Sequence, residues 1–284
     1  MKISANKDKK ILSINGDKGR PFAKAMLENA LNKSTKTLYV AKLLDHNGVA
    51  HYSAEENEIW RMLLQRQKTL LKDRACAEYL YGLELLELSP DKIPQLFEIN
   101  KILEPLTSWK LEPVASLIRA DEFFEMLANR KFPVVTFIRR REDLKYIDEP
   151  DIFHEIVGHC PLLTSGHYAD FLQKYGYLGL NATQQMRILL SRLFFFTVET
   201  GLIKTANGLK IYGAGILSSQ SESLYALDSD IPQRLEFNIN AIINRQYGLD
   251  AMQKTYYIIE DFNMLYTLLD NIQSFGLDIT HRAR

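Results

Sequence analysis

Glu149-Pro150-Asp151-Ile152-Phe153-His154-Glu155-Ile156-Val157-Gly158-His159-Cys160-Pro161 places two histidines and three carboxylates within eleven residues of an otherwise apolar neighbourhood. Imidazole and carboxylate are donors that first-row metals accept, so the segment reads as a metal site. Forty residues after His159, Glu199 closes the run Leu193-Phe194-Phe195-Phe196-Thr197-Val198. An acid there loses its hydration, and a cation offsets that loss.

The histidine spacing selects the chemistry. Zinc proteases set two histidines at i and i+4 on one helical face, whereas His154 and His159 are five apart. At about 100° per residue an unbroken helix splays the two rings by roughly 140°. The helix is therefore expected to end or bend, with Gly158 supplying backbone freedom and Pro161 biasing Cys160 away from helical dihedrals. His159 then swings back toward His154, and with Glu199 three ligands share one side of an ion. Two neutral imidazoles and one carboxylate on a single face, with open positions opposite, typify non-heme Fe(II) oxygenases, and iron is the first choice. Zinc also takes two histidines and a glutamate with a bound water.

Working outward, Asn181-Ala182-Thr183 offers a helix N-cap, and Gly201 is a C-terminal stop. Between Met186 and Val198 only Arg187, Ser191, Arg192 and Thr197 are polar. Glu199 thus falls in the last turn, where the helix dipole disfavours an anion by up to about 1 kcal/mol. The bland alternative pairs Glu199 with Arg192 or Lys204, or lets it reach solvent.

The chain has 284 residues, 46% of them hydrophobic, enough to bury a large core. Lysine plus arginine equals aspartate plus glutamate at 35 each, so no net field favours nucleic acid or an anionic membrane. The lysine-rich start lacks the apolar core of a signal peptide, and no stretch of about 18 uncharged apolar residues occurs. Two cysteines, Cys76 and Cys160, are too few for a secreted disulfide scaffold, which points to the cytoplasm.

Residues 1 to 35 are expected to form a weakly ordered polar lead, and residues 36 to 284 a single domain. Asn47-Gly48 signals a hairpin flanked by residues 37 to 43 and 49 to 52. Ser53 and Glu56 form a capping box ahead of a helix with Ile59, Met62, Leu63, Leu70 and Leu71 on its apolar face. Helical period continues over 78–88 and 93–103, with Ser89-Pro90 as a cap. A short strand is expected over 132–139, and a second hairpin around Asn207-Gly208. A last amphipathic helix is expected over 249–272. The class is mainly α with short β-hairpins.

Gly213-Ala214-Gly215 lacks the third glycine of a dinucleotide fingerprint, and the helix-rich pattern offers no βαβ unit to host one. A tight packing turn is the better reading. Arg139-Arg140-Arg141 is usually a solvated run, but it follows an apolar strand and precedes the metal motif. One of these arginines can clamp a carboxylate bidentately.

Pro113-Val114-Ala115-Ser116-Leu117, the stretch from Glu149 to His159, Phe196-Thr197-Val198-Glu199, and Tyr212-Gly213-Ala214-Gly215-Ile216-Leu217-Ser218-Ser219 together resemble the pterin-dependent aromatic amino acid hydroxylases, in particular the short bacterial phenylalanine 4-hydroxylases. The blocks keep the family's order across residues 50 to 275. The resemblance implies a single helical catalytic domain of that type. It also implies that His154, His159 and Glu199 hold Fe(II), and that Phe123 stacks a tetrahydropterin while Leu117 and Ile118 hold it through backbone groups. By the same resemblance Arg139 grips the amino acid carboxylate, Asp151 and Ser218 support the site, and Glu155 is the acid beside the pterin and the metal-bound waters. The implied reaction is hydroxylation of free L-phenylalanine to L-tyrosine with O2.

Phe194 and Phe195 stand where phenylalanine hydroxylases often carry Tyr-Trp, and Thr200 where Phe is common, so these three are read as an altered substrate wall. Tryptophan hydroxylases share a Phe at the position of Phe195, which keeps tryptophan as an alternative substrate. A non-catalytic amino acid binding protein is the competing class, and a zinc hydrolase a weaker third. Neither a regulatory domain nor a tetramerising coiled coil is expected. Small-molecule partners only, and a monomer or small homo-oligomer, complete the expectation.

Overall fold

Ser53 opens the first helix described, α1 (Ala54–Leu71), through a reciprocal box: Glu56 N donates to Ser53 Oγ at 3.2 Å and Ser53 N to Glu56 Oε2 at 2.7 Å. The computed structural model describes residues 39–115, 118–145, 147, 149–245, 252–270 and 272. The expected polar lead, and Leu117, lie outside them. α1 buries Ile59, Trp60, Leu63, Leu64 and Leu71 in the main core. α2 (Ala77–Leu85) and α3 (Leu96–Thr107) follow.

Ser89-Pro90 does not start α3. Ser89 Oγ accepts from Asp91 N at 3.1 Å in a turn, and the helix begins after Gln95, whose N donates to Glu98 Oε2 at 2.9 Å. Pro94 explains the delay, because a proline keeps the preceding residue out of helical dihedrals. The first expected hairpin is also reduced. Gly48 turns the chain at φ +75°, but only Leu44 and Ala50 pair across it. Val40 and Leu43 are 84% and 90% exposed, so no buried face stabilises longer strands.

A βαβ unit, which the sequence reading excluded, is present. β1 (Lys110–Val114) and β2 (Lys131–Val135) pair in parallel from Lys110↔Lys131 to Val114↔Val135, joined through α4 (Ala120–Ala128). β1 alternates weakly between exposed and buried positions, which hid it. α4 lies on α6 (Gly166–Leu180), where a Cβ on Gly179 would stand 1.9 Å from the Phe124 ring and one on Gly176 2.3 Å from Ala128 N.

The second hairpin forms as expected: β3 (Leu202–Thr205) and β4 (Gly208–Ile211) pair antiparallel, with Gly208 at φ +91°. They belong to a four-stranded sheet ordered β4-β3-β6-β5, in which β5 (Gln233–Glu236) and β6 (Thr255–Ile259) add in parallel. β6 replaces part of the expected last helix, and among the described residues helix follows over 262–270 and at 272. All five residues of β6 are buried, a run whose period cannot separate a buried strand from a buried helix. Among the described residues no helix is long and apolar enough to cross a membrane.

Candidate metal and active site

Residues His154–His159 wind as a π-helical turn, and the helix then continues as α5 (Cys160–Leu163). The expected end or bend does not occur. A π turn bonds i to i+5 and so stacks residues five apart on one side, which solves the spacing by widening the helix. The freed groups find partners: Cys160 Sγ donates to Glu155 O at 3.3 Å and Tyr79 Oη to Val157 O at 2.8 Å. Pro161 lies inside this continuing helix, and the Val157 carbonyl that its missing N–H leaves open is the one that accepts from Tyr79 Oη. Gly158 serves closeness rather than freedom, since a Cβ there would stand 2.9 Å from Ala214 O.

Glu199 is delivered by the same device. Thr183 caps α7 (Gln184–Phe194) by accepting from Met186 N at 3.3 Å, and the helix ends in a second π turn, Phe195–Glu199. Thr200 closes it, donating from both N and Oγ1 to Phe195 O at 3.0 and 2.8 Å. The turn Gly213-Ala214-Gly215 then wedges between the two ligand segments. A Cβ on Gly213 would stand 2.6 Å from Glu199 O, and one on Gly215 3.2 Å from Glu199 Oε2. The packing role read from sequence holds, and the motif opens the short helix α8 (Ala214–Leu217) rather than the βαβ unit.

The three side chains converge. Nε2 of His154 and Nε2 of His159 are 3.1 Å apart, and Glu199 Oε1 lies 3.2 Å from His159 Nε2 while Oε2 lies 3.7 Å from His154 Nε2. Ligands at right angles around one ion, each about 2.1 Å from it, stand about 3 Å apart. Burial, partly countered by Glu199, pushes the His154 pKa down to about 4, and burial pushes that of His159 down to about 3. Both rings are therefore neutral near pH 7, as metal ligation requires. Ser218 Oγ donates to Ala214 O at 2.9 Å and so accepts from His154 Nδ1 at 2.9 Å, which turns the His154 Nε2 lone pair toward the ion site. Glu155 is also close, with atoms of His154, Glu155 and His159 all within 4.8 Å of one another. Burial first, then the Glu199 and Asp151 charges, raise its pKa well above the ordinary carboxylate value. The donor set fits a facial two-histidine, one-carboxylate metal centre.

Asp151 anchors the next layer. Its carboxylate accepts from Arg139 Nε at 2.8 Å, Nη2 at 2.7 Å and N at 3.0 Å, and from His154 N at 3.0 Å. Both side chains are buried, so Arg139 is held rigidly, with Nη1 the nitrogen outside this fork. Phe123 is half-buried on α4 and meets Phe194 edge-on at 5.6 Å, while Ile118 is half-buried just before that helix. Phe194 also lies 6.4 Å from His159. Phe195 and Thr200 do not join that wall: Phe195 packs with Phe196, Ile242 and Tyr257, and the Thr200 hydroxyl is spent on its own turn. Phe132 was not singled out from the sequence, although its ring is 4.8 Å from that of His159. No local signal marks it beyond its place in a strand.

Comparison with known proteins agrees with this geometry. The pattern of the biopterin-dependent aromatic amino acid hydroxylases matches residues 22–282. The chain is 46% identical over 240 residues to a phenylalanine-4-hydroxylase of Vibrio cholerae, covering 84% of this chain and 83% of that protein. It is 47% identical to one of Pseudomonas aeruginosa, covering 82% of this chain and 88% of that protein. Its fold is similar to that of the Chromobacterium violaceum phenylalanine hydroxylase with bound iron(III) and 7,8-dihydrobiopterin, with TM-score 0.78, 42% identity, and 89% and 92% of the two chains covered. The chain belongs to the biopterin-dependent aromatic amino acid hydroxylase family.

Proposed function

We propose that this chain is an Fe(II)- and tetrahydropterin-dependent monooxygenase that hydroxylates free L-phenylalanine to L-tyrosine with O2. The observation that carries the reading is the convergence of His154 Nε2, His159 Nε2 and a Glu199 oxygen within 3.1–3.7 Å, buried and with neutral imidazoles. The names of the relatives support phenylalanine, and none of those quoted above is a tryptophan hydroxylase.

His154, His159 and Glu199 would hold the iron, and the bound iron and reduced pterin together supply the two-electron activation of O2. The chain's own residues then do four things. Ser218 fixes the His154 tautomer. Asp151 locks Arg139, whose remaining nitrogen is placed to take the substrate carboxylate. Phe123 and Phe194 offer aromatic faces for the flat pterin and the benzyl ring. Glu155, its pKa raised by burial and by the Glu199 and Asp151 charges, sets a carboxyl beside the two histidines for hydrogen bonding at the edge of the site. Buried apolar walls exclude water from the oxidant. The two buried, unbridged cysteines suit a reducing cytoplasm.

The test is incubation of purified, iron-loaded protein with tetrahydropterin, O2 and each aromatic amino acid, followed by product identification. L-Tyrosine from L-phenylalanine, dependent on pterin and O2, is expected. Faster turnover of tryptophan would overturn the substrate assignment, and binding without product would leave only a binding protein.

A further inference from the structure

The two π turns keep their backbone groups satisfied in different ways. The turn that delivers Glu199 does so from within: Thr200 donates to Phe195 O from both N and Oγ1, and Thr197 Oγ1 donates to Leu193 O. The histidine turn draws on a second helix. An α-helical Val157 O would accept from the N–H of residue 161, which is a proline and has none. Tyr79 Oη, on α2, donates to that carbonyl at 2.8 Å instead. Tyr79 is fully buried, and burial raises its pKa, so the phenol keeps the hydrogen that it donates. Gly82, one turn further along the same face of α2, fixes the approach, because a Cβ there would stand 2.0 Å from Pro161 O and 2.6 Å from Thr164 Oγ1. α2 therefore meets the ligand helix at two points, and one of them is the carbonyl that lies between the two histidines in the chain.

We propose that Tyr79 is a positioning residue for the iron centre: its hydroxyl pins the Val157–Gly158 peptide and so holds His159 Nε2 beside His154 Nε2 and Glu199. A buried carbonyl left without a donor costs about as much as a lost hydrogen bond and turns toward another partner. The peptide that would turn carries Gly158, which must lack a Cβ to pass Ala214 O and whose backbone therefore resists rotation least. His159 follows directly. Its Nδ1 is buried with no hydrogen-bond partner among the described residues, so that nitrogen has no anchor comparable to the Ser218 bond of His154. The inference rests on the reading of His154, His159 and Glu199 as iron ligands.

The experiment measures three things on the full chain: iron affinity by chelator competition, the absorption bands of Co(II) loaded in place of iron, and urea unfolding of the metal-free protein. Tyr79→Phe removes only the hydroxyl and is expected to weaken iron binding about tenfold, the effect of one buried hydrogen bond, and to shift the Co(II) bands. Pro161→Ala returns an N–H that can serve the same carbonyl. In that background Tyr79→Phe should leave iron affinity and the Co(II) bands unchanged. If Tyr79→Phe does not fold by itself, this paired comparison carries the test. Unchanged iron affinity in Tyr79→Phe, with only the urea midpoint lowered, would overturn the inference, since the hydroxyl would then serve the fold and not the ligands. An equal loss with and without Pro161 would also overturn it, because the effect would not run through Val157 O. If His154→Ala, His159→Ala and Glu199→Ala all keep full iron binding, the ligand reading itself fails.

Discussion

His154 Nδ1 donates to Ser218 Oγ at 2.9 Å, and because Ser218 sends its own hydrogen to Ala214 O, the direction of that bond is decided. A serine at the C-cap of α8 thereby dictates which nitrogen of a ligand on a different helix carries the lone pair. Removing the hydroxyl frees the ring to adopt the other tautomer or to rotate. Ser218→Ala is expected to lower iron affinity roughly 10–100-fold. Competition with a graded chelator measures it, and unchanged affinity would remove Ser218 from the support of the site.

His154→Ala, His159→Ala and Glu199→Ala should each lose bound iron and hydroxylation, because two remaining ligands chelate too weakly. The fold should persist, as the apolar core surrounding the site is untouched. Metal analysis with circular dichroism separates the two outcomes; full iron content in any one variant would exclude that residue from the ligand set.

Arg139→Lys should raise the Michaelis constant for the amino acid far more than that for the pterin, since lysine cannot keep both the Asp151 fork and a carboxylate contact. Asp151→Asn should do the same and also destabilise the fold by about 3–5 kcal/mol, because it strands a buried guanidinium. Urea unfolding reads the second effect. A double variant that loses no more than either single one is expected, as the two residues act as a unit.

The iron-free protein should become less stable on moderate acidification. His154 and His159 stay neutral in the fold down to about pH 4 and 3, whereas in the unfolded chain they protonate near 6.5. Between about pH 6.5 and 4 the two histidines therefore bind more protons in the unfolded state and stability falls as pH falls, opposed in part by the single carboxyl of Glu155, whose pKa burial raises in the fold. Asp151, held below its usual value by the Arg139 charge against the opposing effect of burial, adds a further loss below about pH 4. Urea midpoints from pH 7.5 to 4.5 test this; a His159→Gln variant should lose part of the slope, and an equal slope would count against it.

Gly215→Ala and Gly213→Ala should fail differently. A methyl at 215 meets Glu199 Oε2 and O at 3.2 and 3.1 Å, so the ligand has to shift by tenths of an ångström and iron affinity should drop in a folded protein. A methyl at 213 meets Gly201 N at 2.4 Å and Glu199 O at 2.6 Å, where only backbone can give way. Gly213→Ala should therefore express poorly or melt many degrees lower. Iron titration and thermal melts, run on both, distinguish a displaced ligand from a broken turn.

His154, His159 and Glu199 were legible in the sequence because buried acids and imidazoles are costly without a cation, and that cost is a property of residue types and local pattern. The Ser53–Glu56 box, the Thr183 cap and the Asn207-Gly208 hairpin were legible for a related reason, since caps and tight turns are decided within a few residues. The π turns were not, because Gly158 reads as a flexible point until Ala214 is seen pressed against it. Nor were β1 and β6, whose strand character depends on partners distant in sequence. Tertiary structure alone separated Phe194 from Phe195, adjacent residues on one helix that face different clusters, and alone revealed that Asp151 fills the fork of Arg139. Local sequence determines which groups need partners; only the packed chain decides which partner each one meets.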